Sequence, residues 1–163
     1  NITNDGICDK INIVSLNCNG NITDSGIEKM CMMRKLCCSD NMTGAGTQHM
    51  KHMVELECGI MITDNGIRDM TKMRRLSITF AQHVTDCGIR DMTQLRQLLI
   101  GFNKIFTDNG IMKMTNMRRL NYGYSQHITI NGISSMTKLR ELDGEMVDSL
   151  REKMKIKRMH DID

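Results

Sequence analysis

The stretch from Ile62 to Leu76, I-T-D-N-G-I-R-D-M-T-K-M-R-R-L, recurs with variations along the chain and decides how the rest is read. Its glycine serves as a ruler. Equivalent glycines stand at Gly6, Gly26, Gly46, Gly66, Gly88, Gly110 and Gly132, so the spacing is 20 residues three times and then 22 residues three times. A leucine follows each by ten residues: Leu16, Leu36, Leu56, Leu76, Leu98, Leu120 and Leu142. Four residues after the glycine come Met30, Met50, Met70, Met92, Met114 and Met136, and Lys10 breaks this column in the first copy. Seven residues after it come Ile13, Met33, Met53, Met73, Leu95, Met117 and Leu139. Self-similarity at this period marks a repeat array. One unit cannot bury its own apolar face, so stacked neighbours complete the core.

Each unit also has a local reading. The pairs Thr23-Asp24, Thr63-Asp64, Thr85-Asp86 and Thr107-Asp108 carry side-chain oxygens that can accept from the free amides opening a helix. Ile67, Met70 and Met73 are predicted to share one helical face. Leu76 and Ile78 then alternate with Arg75 and Ser77, the pattern of a short strand with one buried face. A repeat therefore reads as helical segment, turn, short strand and loop. In the third copy Gly44 replaces the aspartate and Thr47 the isoleucine, and Ala45-Gly46 weakens the helix.

On these residues the chain resembles the leucine-rich repeat family, with methionine often in the place of leucine. The I-T-D-x-G-I element is similar to repeats of F-box-associated and bacterial leucine-rich proteins. The resemblance spans residues 1–145 as seven repeats. The family's asparagine after the strand is matched at Asn21, Asn41 and Asn103, whereas Met61, Ala81 and Ser125 replace it. The resemblance implies an α/β repeat solenoid: a right-handed curved superhelix with a parallel sheet on the concave face and short helical segments on the convex face. Residues 146–163 depart from the repeat. Met146, Val147, Leu150 and Met154 give this charged segment one apolar side, as expected of a C-terminal capping helix. No polar cap precedes Asn1, so either the chain begins inside a longer protein or a partner covers that edge.

Composition narrows the function. A chain of 163 residues filled by repeats leaves no room for a second domain. Aromatics are 3%, so 17 methionines and the aliphatic residues must fill the core. A net charge of +3 is too balanced to point to nucleic acid. No apolar run is long enough for a membrane span, and no secretory signal is visible. Of seven cysteines, Cys18, Cys38 and Cys58 form a column that continues as Ile78, Ile100 and Tyr122. Cysteine thus stands in for an aliphatic residue, which predicts buried, reduced thiols and an intracellular, cytoplasmic setting. His49 and His52 near Cys58 are too few ligands for zinc. No metal and no cofactor are expected. Neither a Gly-rich phosphate loop of the G-x-x-x-x-G-K-[ST] type nor a G-x-S-x-G elbow is present, and catalysis is not expected.

Function should lie on the outward positions of the strands. The column eight residues after the glycine reads Val14, Arg34, Val54, Arg74, Arg96, Arg118 and Arg140. The next reads Ser15, Lys35, Glu55, Arg75, Gln97, Arg119 and Glu141. On strands about 4.8 Å apart, such arginines form a positive ladder suited to carboxylate or phosphate. Alternatively, Glu55, Glu57, Glu141 and Asp143 on the same face neutralise it. The longer repeats add Phe80, Phe102 and Tyr124 four residues past the leucine, either as exposed anchors or as filling under the loops. The resemblance implies a non-catalytic protein–protein interaction scaffold that uses the concave strand face. Its expected site is Arg34, Arg74, Arg75, Arg96, Arg118, Arg119 and Arg140 with Phe80, Phe102 and Tyr124. Its expected partner is a protein with an acidic surface rather than a nucleic acid. The alternative is a structural subunit built permanently into a larger assembly through the uncapped N-terminal edge.

Overall fold

The computed structural model describes residues 2–18, 20, 22–38 and 40–144. Seven strands form one sheet: β1 Ser15–Asn17, β2 Lys35–Cys37, β3 Glu55–Glu57, β4 Arg75–Ser77, β5 Gln97–Leu99, β6 Arg119–Gly123 and β7 Glu141–Gly144. They lie in sequence order and are parallel throughout. The repeat leucines pair with one another, Leu16 with Leu36 and onward to Leu120 with Leu142. One-turn helices alternate with the strands: α1 Asn4–Ile7, α2 Asp24–Ile27, α3 Asp64–Ile67, α4 Asp86–Ile89, α5 Asp108–Ile111 and α6 Ile130–Ile133. The third repeat runs from β2 to β3 with turns in place of a helix, as Gly44 and Ala45-Gly46 predict. The capping helix expected at 146–163 lies outside the described residues.

One expectation needs correcting. Ile67, Met70 and Met73 do not share an extended α-helical face, because α3 ends at Ile67. The chain continues in tight turns, with Met70 N donating to Ile67 O at 2.9 Å and Met73 N to Met70 O at 3.0 Å. Bonds between residues three apart turn the backbone once per three residues, which also puts positions one, four and seven after the glycine on one side, and the strand that follows turns position ten inward. Ile67, Met70, Met73 and Leu76 are accordingly all buried, as are their counterparts in neighbouring repeats. Ile22, Met42, Ile62, Val84, Phe106 and Ile128, four residues before the glycines, fill the core from the loop side.

The Thr-Asp pair has two separate tasks. Thr85, Thr107 and Thr129 cap their own helices, each Oγ1 accepting from the amide two residues on at 3.2 Å. The aspartates instead reach across to the next repeat. Asp64 accepts from Thr85 N at 2.8 Å and from Thr85 Oγ1 at 2.7 Å. Asp86 binds Thr107 in the same way at 3.0 and 2.5 Å, and Asp108 binds Thr129 at 2.7 and 2.6 Å. The repeating glycine follows from this contact. A Cβ on Gly88 would run into the Asp64 carboxylate, and one on Gly110 or Gly132 into Asp86 or Asp108. The T-D-x-G element is thus a staple between repeats, made of one unit's carboxylate and the next unit's threonine and glycine.

Candidate interaction face

The core row of leucines leaves the residues on either side of it, nine and eleven after each glycine, on the open face of the sheet. Here the charges largely pair off. Glu55 bridges Lys35 at 3.1 Å and Arg75 at 2.5 Å, and Arg119 meets the buried Glu141 at 2.8 Å. The Arg75 hydrogen bond outweighs the opposing push of burial and, helped by Lys35, holds the Glu55 carboxyl below its usual range. Arg75 and Arg119 are therefore neutralised within the sheet.

Arg34, Arg74, Arg96, Arg118 and Arg140 are placed differently. They are not strand residues, as the sequence reading had them, but stand one residue before each strand, all exposed. Their backbone still belongs to the ladder. Arg96 N donates to Arg74 O at 2.9 Å, Arg118 N to Arg96 O at 2.8 Å and Arg140 N to Arg118 O at 2.9 Å. The spacing of four consecutive arginines is thereby tied to the strand separation of about 4.8 Å. Among the described residues, none of these five makes an ion pair. Arg74, Arg96 and Arg118 line a groove of about 310 Å³ together with Val54, Glu55, Arg75, Gln97 and Arg119.

The aromatic column lies at the other end of the strands. Phe80, Phe102 and Tyr124 are 57%, 55% and 51% exposed, so they do not fill space under the loops. Phe80 and Phe102 stack with centroids 5.0 Å apart and planes 8° from parallel, and Tyr124 follows at 5.4 Å with a 31° tilt. The close approach has a backbone cause. Phe102 N donates to Thr79 O at 2.9 Å and Tyr124 N to Gly101 O at 3.0 Å, extending the ladder past the strands. Gly123 has φ 49°, a left-handed conformation, and a Cβ there would strike the Gly101 carbonyl. Gly101, Gly123 and Gly144 line a trough of about 430 Å³ with Phe102 and Tyr124, beside Thr79, Asn121 and Asp143. Asn121 Nδ2 donates to Asp143 Oδ2 at 3.1 Å.

The structure therefore does not bring the arginines and aromatics into one patch. They border the open face from opposite ends, and their two grooves share no residue. The sequence reading also missed Ile60, which precedes Phe80 in the same column and is exposed. Its position fourteen residues after Gly46 was the available signal.

Cys18, Cys38 and Cys58 are buried and all seven cysteines are free thiols, while Cys31 and Cys87 are exposed. His49 is exposed, and His52 Nδ1 lies 3.4 Å from Lys72 Nζ. Among the described residues, no group of three or more His, Cys, Asp or Glu side chains is placed to hold a metal ion. No helix among them is long and apolar enough to cross a membrane. No protein-family model and no curated protein matches the chain in sequence.

Proposed function

We propose that this chain is a non-catalytic interaction scaffold of the leucine-rich repeat kind, a right-handed curved solenoid whose sheet lines the concave face. Its partner is a protein with an acidic surface, taken along the arginine edge of repeats four to seven. The observation that carries this reading is the column Arg74, Arg96, Arg118 and Arg140, which has no ion-pair partner among the described residues, beside strand positions where charges do pair. Exposed like charges on adjacent repeats repel weakly in water, and more where a partner excludes water, so an anionic surface is the complement this column favours. Guanidinium forks bind carboxylates bidentately, which adds orientation to attraction. The exposed ridge of Phe80, Phe102 and Tyr124 supplies a second anchor of the type enriched at binding hot spots. A partner touching both must reach past both ends of strands three residues long, at least roughly 10 Å at ~3.3 Å per residue.

The test is affinity purification of the full protein with mass spectrometry of what accompanies it, repeated with Arg96→Glu/Arg118→Glu. Both positions are exposed, so the double variant keeps the fold. Binding is expected to weaken by about 2 kcal/mol or more, on the order of 30-fold. Parent binding should also fall with salt. Equal binding by the double variant, with no salt dependence, rules the arginine reading out.

A second reading, a structural subunit fixed in a larger assembly, is favoured by apolar side chains left exposed along the array, among them Met32, Ile105, Met112 and Ile130. A purified chain that stays insoluble until a partner is supplied would favour this reading over the first.

A further inference from the structure

The column Cys18, Cys38 and Cys58 places a cysteine at the same inward position in three consecutive repeats. Leu36 pairs with Leu56 in parallel register, and Cys38 N donates to Glu57 O at 2.9 Å. The residues that follow, Cys38 and Cys58, therefore stand side by side in the core. Neighbouring strands lie about 4.8 Å apart, within the roughly 4.4–6.8 Å between Cα atoms that a disulfide can bridge. The two Sγ atoms touch at 2.7 Å, whereas Cys18 Sγ is directed to the Cys37 carbonyl at 3.7 Å. Ile78, Ile100 and Tyr122 continue the column, so the chemistry is confined to the N-terminal repeats.

We propose that Cys38 and Cys58 are a reversible disulfide site that joins the second and third repeats and is closed by a hydroperoxide. One sulfur, as thiolate, attacks the terminal peroxide oxygen; the O–O bond breaks and a sulfenic acid forms as the alkoxide leaves, or hydroxide when the oxidant is hydrogen peroxide, and takes up a proton from water. The second sulfur then attacks the sulfenic sulfur; the S–S bond forms, the S–O bond breaks, and water leaves. Two thiols and one hydroperoxide yield one disulfide, one water and the alcohol derived from the peroxide, or a second water when the oxidant is hydrogen peroxide. A dithiol reductant reverses the step by exchange.

The surroundings set the rate. The Cys38 contact and burial push the Cys58 thiol well up, and burial pushes Cys18 up to about 11. Thiolate is thus scarce at neutral pH, and closure is slow in the folded state. Access comes through the third repeat, which carries Cys58 and has turns in place of a helix. Cys37, next to Cys38, points to the opposite side of its strand and is half-buried.

The experiment treats the reduced full chain with graded hydrogen peroxide, blocks remaining thiols with N-ethylmaleimide in denaturant, and digests with trypsin. Cleavage after Lys35, Lys51 and Arg68 puts Cys37 and Cys38 on one peptide and Cys58 on another. The expected product is these two peptides joined, lighter by two hydrogens than their sum and separated again by a dithiol. Cys37→Ser, at a half-buried position, distinguishes the neighbours: the link must persist in it. The proposal is overturned if the link vanishes in C37S. It is equally overturned if Cys18 forms the first bridge, or if Cys58 is recovered as alkylated thiol or sulfinic acid after Cys31 and Cys87 have been consumed.

Discussion

Replacing Asp64 with alanine tests the staple between the fourth and fifth repeats at the level of single atoms. The carboxylate accepts two hydrogen bonds from Thr85, at 2.8 Å from the amide and 2.7 Å from the hydroxyl. Hydrogen bonds to a charged group contribute about 1.5–3 kcal/mol each. Both residues are only half-buried, so the lower end applies, giving a loss of about 3 kcal/mol for Asp64→Ala. For a chain of this size that corresponds to a fall of about 6–12 °C in Tm. Asp64→Asn keeps one acceptor and should lose about half as much. The contact with Gly88 sharpens the test, because a Cβ there meets the Asp64 carboxylate first and Val84 Cγ1 next at 3.2 Å. Gly88→Ala should therefore cost about 1–3 kcal/mol in the parent through overpacking. In the D64A background it should cost little or even stabilise, since alanine exceeds glycine in helix propensity by about 1 kcal/mol. Urea and thermal unfolding followed by circular dichroism measure all four corners of this cycle. If D64A lies within about 0.5 kcal/mol of the parent, the staple carries no stability. If G88A costs the same in both backgrounds, the two residues do not compete for space.

Other expectations follow from single sites. Burial pushes the Asp24 carboxyl up, but hydrogen bonds from the Thr43 hydroxyl and the Gly46, Thr43 and Gly44 amides outweigh it and hold it below its usual range. A depressed folded value means its contribution is complete above the unfolded value of about 4 and is lost as pH falls through the lower folded value. The urea midpoint of the parent should drop in that acid window, and Asp24→Asn should flatten the drop; parallel curves would refute this. Asn103 is buried and donates to Ala81 O at 2.6 Å and Val84 O at 3.0 Å while accepting from Ile105 N at 2.9 Å. Asn103→Ala strands all three groups and should cost about 2–4 kcal/mol by urea unfolding, and a loss under 1 kcal/mol would show that the loop re-forms without it. In the native protein, a maleimide should label Cys31 and Cys87 quickly and Cys18, Cys38 and Cys58 only on unfolding. Fast modification of the buried three would contradict the packing of the column.

Much of the architecture is legible in the residues themselves. The glycine-to-leucine offset names which residue lies over which in the next repeat, and the parallel register of Leu76 with Leu98 follows from it. The buried set was readable for the same reason, since Ile67, Met70, Met73 and Leu76 recur at intervals of three. That interval also signals three-residue turns rather than a long helix, a reading the apolar face alone does not force. What the tertiary structure decided is where each polar side chain turns. Asp64 serves Thr85 of the next repeat and not its own helix. Arg75 is paired while Arg74, one residue earlier, has no ion pair among the described residues. Phe102 stacks in the open because Gly101 and Gly123 let two backbones approach. Apolar burial depends on periodicity, which a chain carries locally. Hydrogen bonds and ion pairs depend on distances of about 3 Å between residues some twenty positions apart, and those distances exist only once the repeats are stacked.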